Sequence, residues 1–405
     1  MSDERKVKQK VLVATTPELA FEALTKASEL REWFSDQAWT EVQVGGRYAL
    51  HWNQGYHVEG KFATLDPPHR AVVRWWGTDE PGKTTVEFTV NQRDDGAVEV
   101  AVVHGGLGPG DEWDKALEEA EKGWAVGLEN LKSTLETGVD LRIARQPFMG
   151  IIPAQLDGER AAKESISVEQ GIYINGTLED TGAQAAGLVK GDVIVALGGI
   201  ETPDFQELTA ALQAHRAGDE VNVELVHGQE RRTIKMTLGQ RPQADVPESA
   251  EGLSEFVAEQ YEQTNAELRA AVEGLTEKQA EQCPDQEEWS VKQVLAHLTI
   301  AERDFHHYLA NLAVNGWLDS GQGNPGVIPG RLAAVQATSP TLQDLLDRYF
   351  VDEKETVALL RGLPEETMAH KARFYRIGQF MAFVPIHTRD HIEQIQGIVK
   401  AVRGS

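Results

Sequence analysis

The run His387-Thr388-Arg389-Asp390-His391 carries two imidazoles four residues apart, a spacing that puts both on one face of a helix. A third, His297, stands on the apolar stripe of an earlier helical segment. Neutral imidazole is the commonest protein metal ligand, and three of them leave a tetrahedral site one position short of closed. In that open position a divalent ion could act as a Lewis acid or lower the pKa of a bound water toward ~7. A lone histidine on an apolar stripe is ordinarily a satisfied core residue. Packing alone gives no reason to choose imidazole three times on two stripes. Zinc is the expected ion, with nickel as the alternative.

The elements that must position these residues form an all-α segment, 251–403. Its first helix is striped by Leu253, Val257, Thr264, Leu268 and Val272. Ser290-Val291-Lys292-Gln293 is a capping box opening the second, whose inner face reads Val294, His297, Ala301, Phe305, Tyr308 and Leu312. Ser339-Pro340 opens the third, with Leu342, Leu345, Leu346 and Tyr349 inward. The fourth shows Val384, His387, His391, Ile395, Ile398 and Val402. Four such helices predict a bundle. The long glycine- and proline-bearing connection Trp317–Pro329 is expected to border the site and control access to it. Gln394 shares the histidine face and could bond a metal-bound water or serve as a core amide. Glu302 and Asp390 could orient an imidazole through its second nitrogen or lie solvated on the surface. His306 and His307 fall about 15 Å beyond His297 along a helix and stand outside the site.

The phrases Trp289-Ser290, Ala296-His297-Leu298 through Asp304, and His387 through Ile395 resemble the DinB-like superfamily over the whole segment. That resemblance implies a three-histidine metal site on His297, His387 and His391. Characterised relatives include thiol-dependent transferases and isomerases, with hydrolases suggested, so a metal-dependent enzyme acting on a small substrate is expected. No general acid or base is identifiable, and a non-enzymatic binding scaffold or stress-related adaptor is the alternative. A thiol reaction would bring its sulfur on a cosubstrate, because no motif places Cys283.

Residues 143–241 have another texture. Gly171-Ile172-Tyr173-Ile174 reads as a strand, Gly187 through Val195 as a turn feeding a second strand, and Phe205–Ala214 as an amphipathic helix. The phrase Ala185-Ala186-Gly187-Leu188-Val189-Lys190-Gly191-Asp192-Val193-Ile194 resembles the PDZ domains of bacterial housekeeping proteases, a β-barrel-like fold. Phe148-Met149-Gly150-Ile151 stands where that family cradles a peptide C-terminus on backbone N–H groups. The pocket for its last side chain would lie between Ile151 and Phe205, Leu208, Thr209 and Leu212. No protease triad accompanies it.

Residues 1–142 alternate strands and turns before a long helix, roughly Trp113 to Glu136, with Trp113, Leu117, Ala120, Trp124, Leu128 and Leu131 on one face. Thr16-Pro17-Glu18, Trp33-Phe34, Val44-Gly45-Gly46-Arg47-Tyr48, Asp66-Pro67-Pro68-His69-Arg70 and Gly123-Trp124 resemble the START-like (SRPBCC) superfamily, in the branch named after activators of the heat-shock chaperone ATPase. The resemblance implies an α+β helix-grip fold. Trp33, Phe34, Trp75, Trp76 and Trp124 either line a cavity for an apolar ligand or fill the core. The branch name alone does not carry chaperone stimulation.

Composition bounds what remains. With a net charge of −25 among 405 residues, a non-specific nucleic-acid surface is not expected. No apolar run approaches the ~20 residues of a membrane span, and the first residues carry no secretory signal. The single cysteine, Cys283, excludes an intrachain disulfide and fits a reducing, cytoplasmic setting.

Overall fold

The computed structural model describes residues 5–285, 288–315 and 329–404, which form two compact units: residues up to Asp140 together with those from Ala244, and Leu141–Gln243. The expected access loop, 317–328, lies outside the described residues.

The first segment runs β1 (Arg5–Val13), α1 (Pro17–Thr25), α2 (Ala27–Trp33), β2 (Gln37–Thr40), β3 (Arg47–His51), β4 (His57–Asp66), β5 (Arg70–Gly77), β6 (Thr84–Gln92), β7 (Val98–Leu107) and α3 (Asp111–Thr137). The strands form one antiparallel sheet in the order β1-β7-β6-β5-β4-β3-β2. Alternation decides which residues face inward: in β5, Trp75 is buried while Trp76 is 52% exposed. Trp124, Leu128 and Leu131 of α3 join the sheet's inner residues, Phe62, Val73 and Phe88 among them, in one core.

Of the two readings of the five aromatics, lining a cavity or filling the core, the ring contacts favour the core. Phe34 stacks on Trp33 and Trp124 at centroid distances of 4.6 and 5.1 Å, and Trp75 meets Trp124 at 5.7 Å. The rings occupy the space they would have lined, and Trp76 points away from it. Burying a large ring removes 150–250 Å² from water, about 4–6 kcal/mol at most, so mutual packing is favoured over an open pocket. The indole N–H groups are satisfied: Trp33 donates to the Ala23 carbonyl, Trp75 to Glu80, and Trp124 to His104 Nδ1. His104, closed in by these rings and bonded to Thr84 through Nε2, is pushed down to about 4 by burial and stays neutral.

The second unit contains α4 (Leu141–Ala144), β8 (Pro147–Phe148), β9 (Ile151–Gln155), α5 (Gly158–Lys163), β10 (Ile172–Thr177), α6 (Gly182–Ala185), β11 (Asp192–Leu197), β12 (Ile200–Glu201), α7 (Phe205–Gln213), β13 (Glu220–His227), β14 (Glu230–Thr237) and β15 (Gly239–Gln240). Its main sheet runs β14-β13-β11-β10-β9, so β9 is an edge strand. Asp192, fully buried, accepts from the Val189 N–H and pairs with Arg232 and His227. That carboxylate fixes the turn recognised in sequence at Gly187 through Asp192.

The helical segment comprises α8 (Ala250–Val272), α9 (Glu277–Glu281), α10 (Val291–Asn315), α11 (Pro329–Thr338), α12 (Leu342–Arg361), α13 (Glu365–Ala369) and α14 (Lys371–Gly404). The long helices are α8, α10, α12 and α14. The Ser290–Gln293 capping box forms at the start of α10. The expected start of the third helix moves, because Thr341 and Asp344, rather than Ser339, cap α12. Thr264, polar on the first stripe, is buried and returns its hydroxyl proton to the carbonyls of Gln260 and Tyr261.

The helical and first segments share one unit, and charges meet between them at the head of α14. His370 Nδ1 lies 3.2 Å and Arg373 3.0 Å from the Glu29 carboxylate of α2, and Arg376 pairs with Glu32. Burial would raise the Glu29 pKa, but the His370 hydrogen bond and the His370 and Arg373 charges hold it below the usual range. Acidic side chains at a helix N-terminus also oppose the positive end of its dipole. Gly138 makes the approach possible: at φ 80° it caps α3, and a Cβ there would lie 2.4 Å from the Lys371 carbonyl oxygen. Removing one partner of such a buried pair strands the others. Glu29→Ala is therefore expected to cost about 3 kcal/mol in urea unfolding. Glu59→Ala, which breaks an exposed pair with Arg47, should cost under about 1 kcal/mol. Equal losses would show that the α14 contact contributes nothing special.

Candidate metal centre

α10 and α14 bring His297, His387 and His391 together. One ring nitrogen from each lies within 4.8 Å of the other two. Helical spacing delivers His387 and His391 to one face, with their Nε2 atoms 3.2 Å apart. Two nitrogens bound at ~2.0–2.1 Å to one tetrahedral ion stand about 3.3–3.4 Å apart, so this pair already fits a shared metal. His297 closes the group from α10, its ring centroid 4.7 Å from that of His391 and 5.5 Å from that of His387.

The surroundings favour neutral imidazole. Burial first, then the neighbouring His391 and His297, push His387 down to about 4, so its lone pair is available at neutral pH. Trp289 packs beside His297 at 5.3 Å and Phe305 beside His387 at 6.3 Å between centroids, giving the centre an apolar wall. Phe305 in turn meets Phe380 edge-on at 5.2 Å.

Gln394 has a different role from the two expected. Its Oε1 lies 2.8 Å from His391 Nδ1, one turn along α14, and is placed to accept that N–H. The contact leaves Nε2 as the lone-pair nitrogen facing His387. This is the usual way a ligating imidazole is oriented, through its second nitrogen. Asp390 is exposed, as its surface reading implied. Glu302 departs from the surface reading: it is 1% exposed and accepts from the Tyr261 hydroxyl at 2.7 Å and from Thr356.

Sequence reasoning missed Glu353 altogether. It lies on α12 one turn after Tyr349, is 2% exposed, and accepts from the Asn265 side-chain amide. The signal was available, since Tyr349, Glu353, Thr356 and Leu360 continue the stripe that begins at Leu342. A charged residue on a buried stripe is worth asking about. Holding a glutamic acid neutral at pH 7 costs ~4 kcal/mol, whereas an unpaired buried carboxylate costs more. Burial raises both Glu302 and Glu353, the latter to about 8.

In the PDZ unit, Met149 is buried beneath Leu208 and Leu212, while Phe205 is 43% exposed and Thr209 exposed at the rim of α7. The Met149 carbonyl accepts from Ala183 N–H, and the Gly150 carbonyl from Leu178 N–H, both at 2.8 Å. In a trans peptide the C=O and N–H point in opposite directions. The Gly150 and Ile151 N–H groups therefore face away from those partners, as a carboxylate cradle needs. Gly150 is obligatory, because its φ is 83° and a Cβ would fall 2.2 Å from Thr181.

Comparison with known proteins fits these three architectures. Residues 14–136 match the family model for activator of Hsp90 ATPase homolog 1-like protein, residues 147–238 that for the PDZ domain, and residues 260–395 that for the DinB superfamily. A probable periplasmic serine protease do/HhoA-like of Haemophilus influenzae is 29% identical over 94 residues, 23% of this chain and 20% of that protein. The periplasmic serine endoprotease DegP of Salmonella typhimurium is 24% identical over 127 residues, 31% of this chain and 27% of that protein. The chain thus spans about a quarter or less of the length of these curated relatives. Among solved structures, the Aha1 dimer from Colwellia psychrerythraea shares 20% identity over 33% of this chain and 96% of that one, with a TM-score of 0.30. An HSP90 activator from Plasmodium falciparum shares 23% over 32% and 95%, with a TM-score of 0.29. The chain therefore joins an activator-of-Hsp90-ATPase-like domain of START-like type, a PDZ domain and a DinB superfamily domain.

Proposed function

We propose that the helical domain is a metal-dependent centre for a small substrate, and that the PDZ domain delivers it to, or holds it on, a protein C-terminus. The observation that carries the first half is the convergence of three imidazole nitrogens from α10 and α14. Zinc suits the donor set best, with nickel as the alternative. When bound, such an ion supplies Lewis acidity and an exchangeable fourth position. The chain's own residues do the rest: His297, His387 and His391 present lone pairs, Gln394 holds the His391 ring, and Trp289 and Phe305 keep bulk water from two sides. The reaction classes that fit are transfer, isomerisation or hydrolysis, with a thiol cosubstrate one way to use the open position. Cys283 is exposed and bonded to Gln293, so the sulfur would come from outside.

The second reading is a binding scaffold, favoured by the edge strand β9 with Gly150 and Ile151 N–H groups turned outward beside α7. In both readings the PDZ groove captures an exposed carboxylate by strand addition. The two readings differ in whether the fourth position on the metal exchanges.

Elemental analysis of purified protein should find one equivalent of divalent metal, falling below a tenth in the His387→Ala, His391→Ala double variant. Metal should also be released as pH falls, because imidazole binds either a proton or an ion. Full metal content in the double variant would end the assignment. For the PDZ domain, peptides with an apolar last residue should bind the full chain at the micromolar level, about −8 kcal/mol. Amidating the terminal carboxylate should weaken them at least tenfold, ~1.4 kcal/mol. Equal binding of the free and amidated forms would contradict the groove.

A further inference from the structure

Five residues past His297, the bundle core holds two carboxyl groups that the metal reading does not use. Glu302 on α10 and Glu353 on α12 are both more than nine-tenths buried. Oε1 of Glu302 accepts two hydroxyl protons, from Tyr261 and Thr356, and Oε2 of Glu353 accepts from the Asn265 amide. On these three side chains the atoms left over are acceptors: Glu302 Oε2, Glu353 Oε1 and Asn265 Oδ1 are buried and find no donor among the described residues.

We propose that Glu302 and Glu353 form one buried proton-binding site, a carboxylic acid beside a carboxylate that together hold one proton at neutral pH.

Among the described residues no cation forms an ion pair with either group. From α8, Arg269 lies over the Phe350 ring at 4.3 Å, and Tyr261 is already a donor to Glu302. From α10, Arg303 pairs with Asp352 at 2.9 Å through Nε while its buried Nη2 finds no acceptor among the described residues, and His306 bonds Thr356 and the Asp352 carbonyl through Nε2. From α12, Tyr349 faces Glu353 with its hydroxyl 3.2 Å from Thr388 of α14. Tyrosine, threonine and asparagine supply dipoles, while the Arg269 charge at Glu353 and the His306 charge at Glu302 offset the cost of burial without reversing it. Glu353 stands one turn before Thr356 on α12, the residue whose hydroxyl bonds Glu302, so two carboxylates in this part of the core repel, and one proton removes the repulsion and supplies the missing donor. Glu353 is the better holder, because burial and then the Glu302 charge raise it, while the Asn265 bond, Tyr349 and the Arg269 charge offset this only in part. Glu302 is the better carboxylate, with two hydroxyls already aimed at Oε1.

The consequence is a proton taken from solvent on folding. A carboxyl whose folded pKa lies above its unfolded value contributes its full stability below the unfolded value of 4.5, and loses it as pH rises toward about 8. Glu353→Gln keeps the shape and the neutral form at every pH.

The test uses the full chain. Infrared spectra of the wild type at pH 7 should contain a protonated-carboxyl band that is lost or shifted in Glu353→Gln. Relative to wild type, the urea midpoint of Glu353→Gln should rise as pH goes from 5 to 8. Three results would each overturn the proposal: no such band in the wild type, an equal offset between variant and wild type at both pH values, or a second equivalent of metal in the wild type that Glu353→Gln loses. The infrared measurement on the wild type decides even if the variant does not fold.

Discussion

The placement of α14 is the constraint on which the helical domain depends. This helix carries two of the three histidines, and their usefulness rests on its rotation and axial position against α10. A shift of one residue would turn His387 and His391 by about 100° and scatter the ligands. Three kinds of contact fix it. At its head, Arg373 and Arg376 meet the carboxylates of Glu29 and Glu32 in the START-like domain. Along its length, Met381, Val384, Ile392, Ile395 and Val402 are buried in the bundle. Between the two histidines, Thr388 meets the buried Tyr349 hydroxyl. Apolar burial supplies most of the energy, and the polar contacts select the register.

Each domain buries polar groups and satisfies them differently. In the START-like domain His104 stays neutral between Trp124 and Thr84, so no charge enters the core. In the PDZ unit Asp192 keeps company with Arg232, His227 and a backbone N–H, which compensate its charge. In the bundle the groups hydrogen-bonded to Glu302 and Glu353 are hydroxyls and an amide, and the Arg269 and His306 charges offset the cost of burial only in part. A shared proton is the remaining way to lower the cost of burial. The histidine centre is the opposite case, since three imidazoles from two helices converge there with no acidic group among them.

The architecture was legible in the sequence where a pattern is local. The 3.6-residue stripes, the Ser290–Gln293 capping box and the i, i+4 pair His387 and His391 are short-range signals, and the folded chain retains them. The phrase around Gly187–Asp192 was recognised as a unit, and the buried Asp192 gives the reason. Features decided by tertiary packing were not legible. Five aromatic residues were compatible with a cavity or a core, and only ring-to-ring contact in the START-like domain chooses the core, while strand alternation turns Trp76 outward. Glu302 resembled a surface residue because its neighbours Arg303 and Asp304 are charged; its burial depends on Tyr261 and Thr356, far away in sequence. Gln394 was placed on the right face, yet its partner is the His391 ring nitrogen. The ion pairs joining α2 to α14 link residues more than 340 positions apart, beyond any local pattern.

X-ray absorption at the metal edge of the purified chain tests directly whether a divalent ion is held by three imidazoles with one exchangeable position. The expected first shell is three nitrogen scatterers at ~2.0–2.1 Å with imidazole outer-shell features and one further light atom, the latter replaced by sulfur when a small thiol is added. A shell of four protein ligands unchanged by added thiol, or one lacking imidazole features, would contradict it.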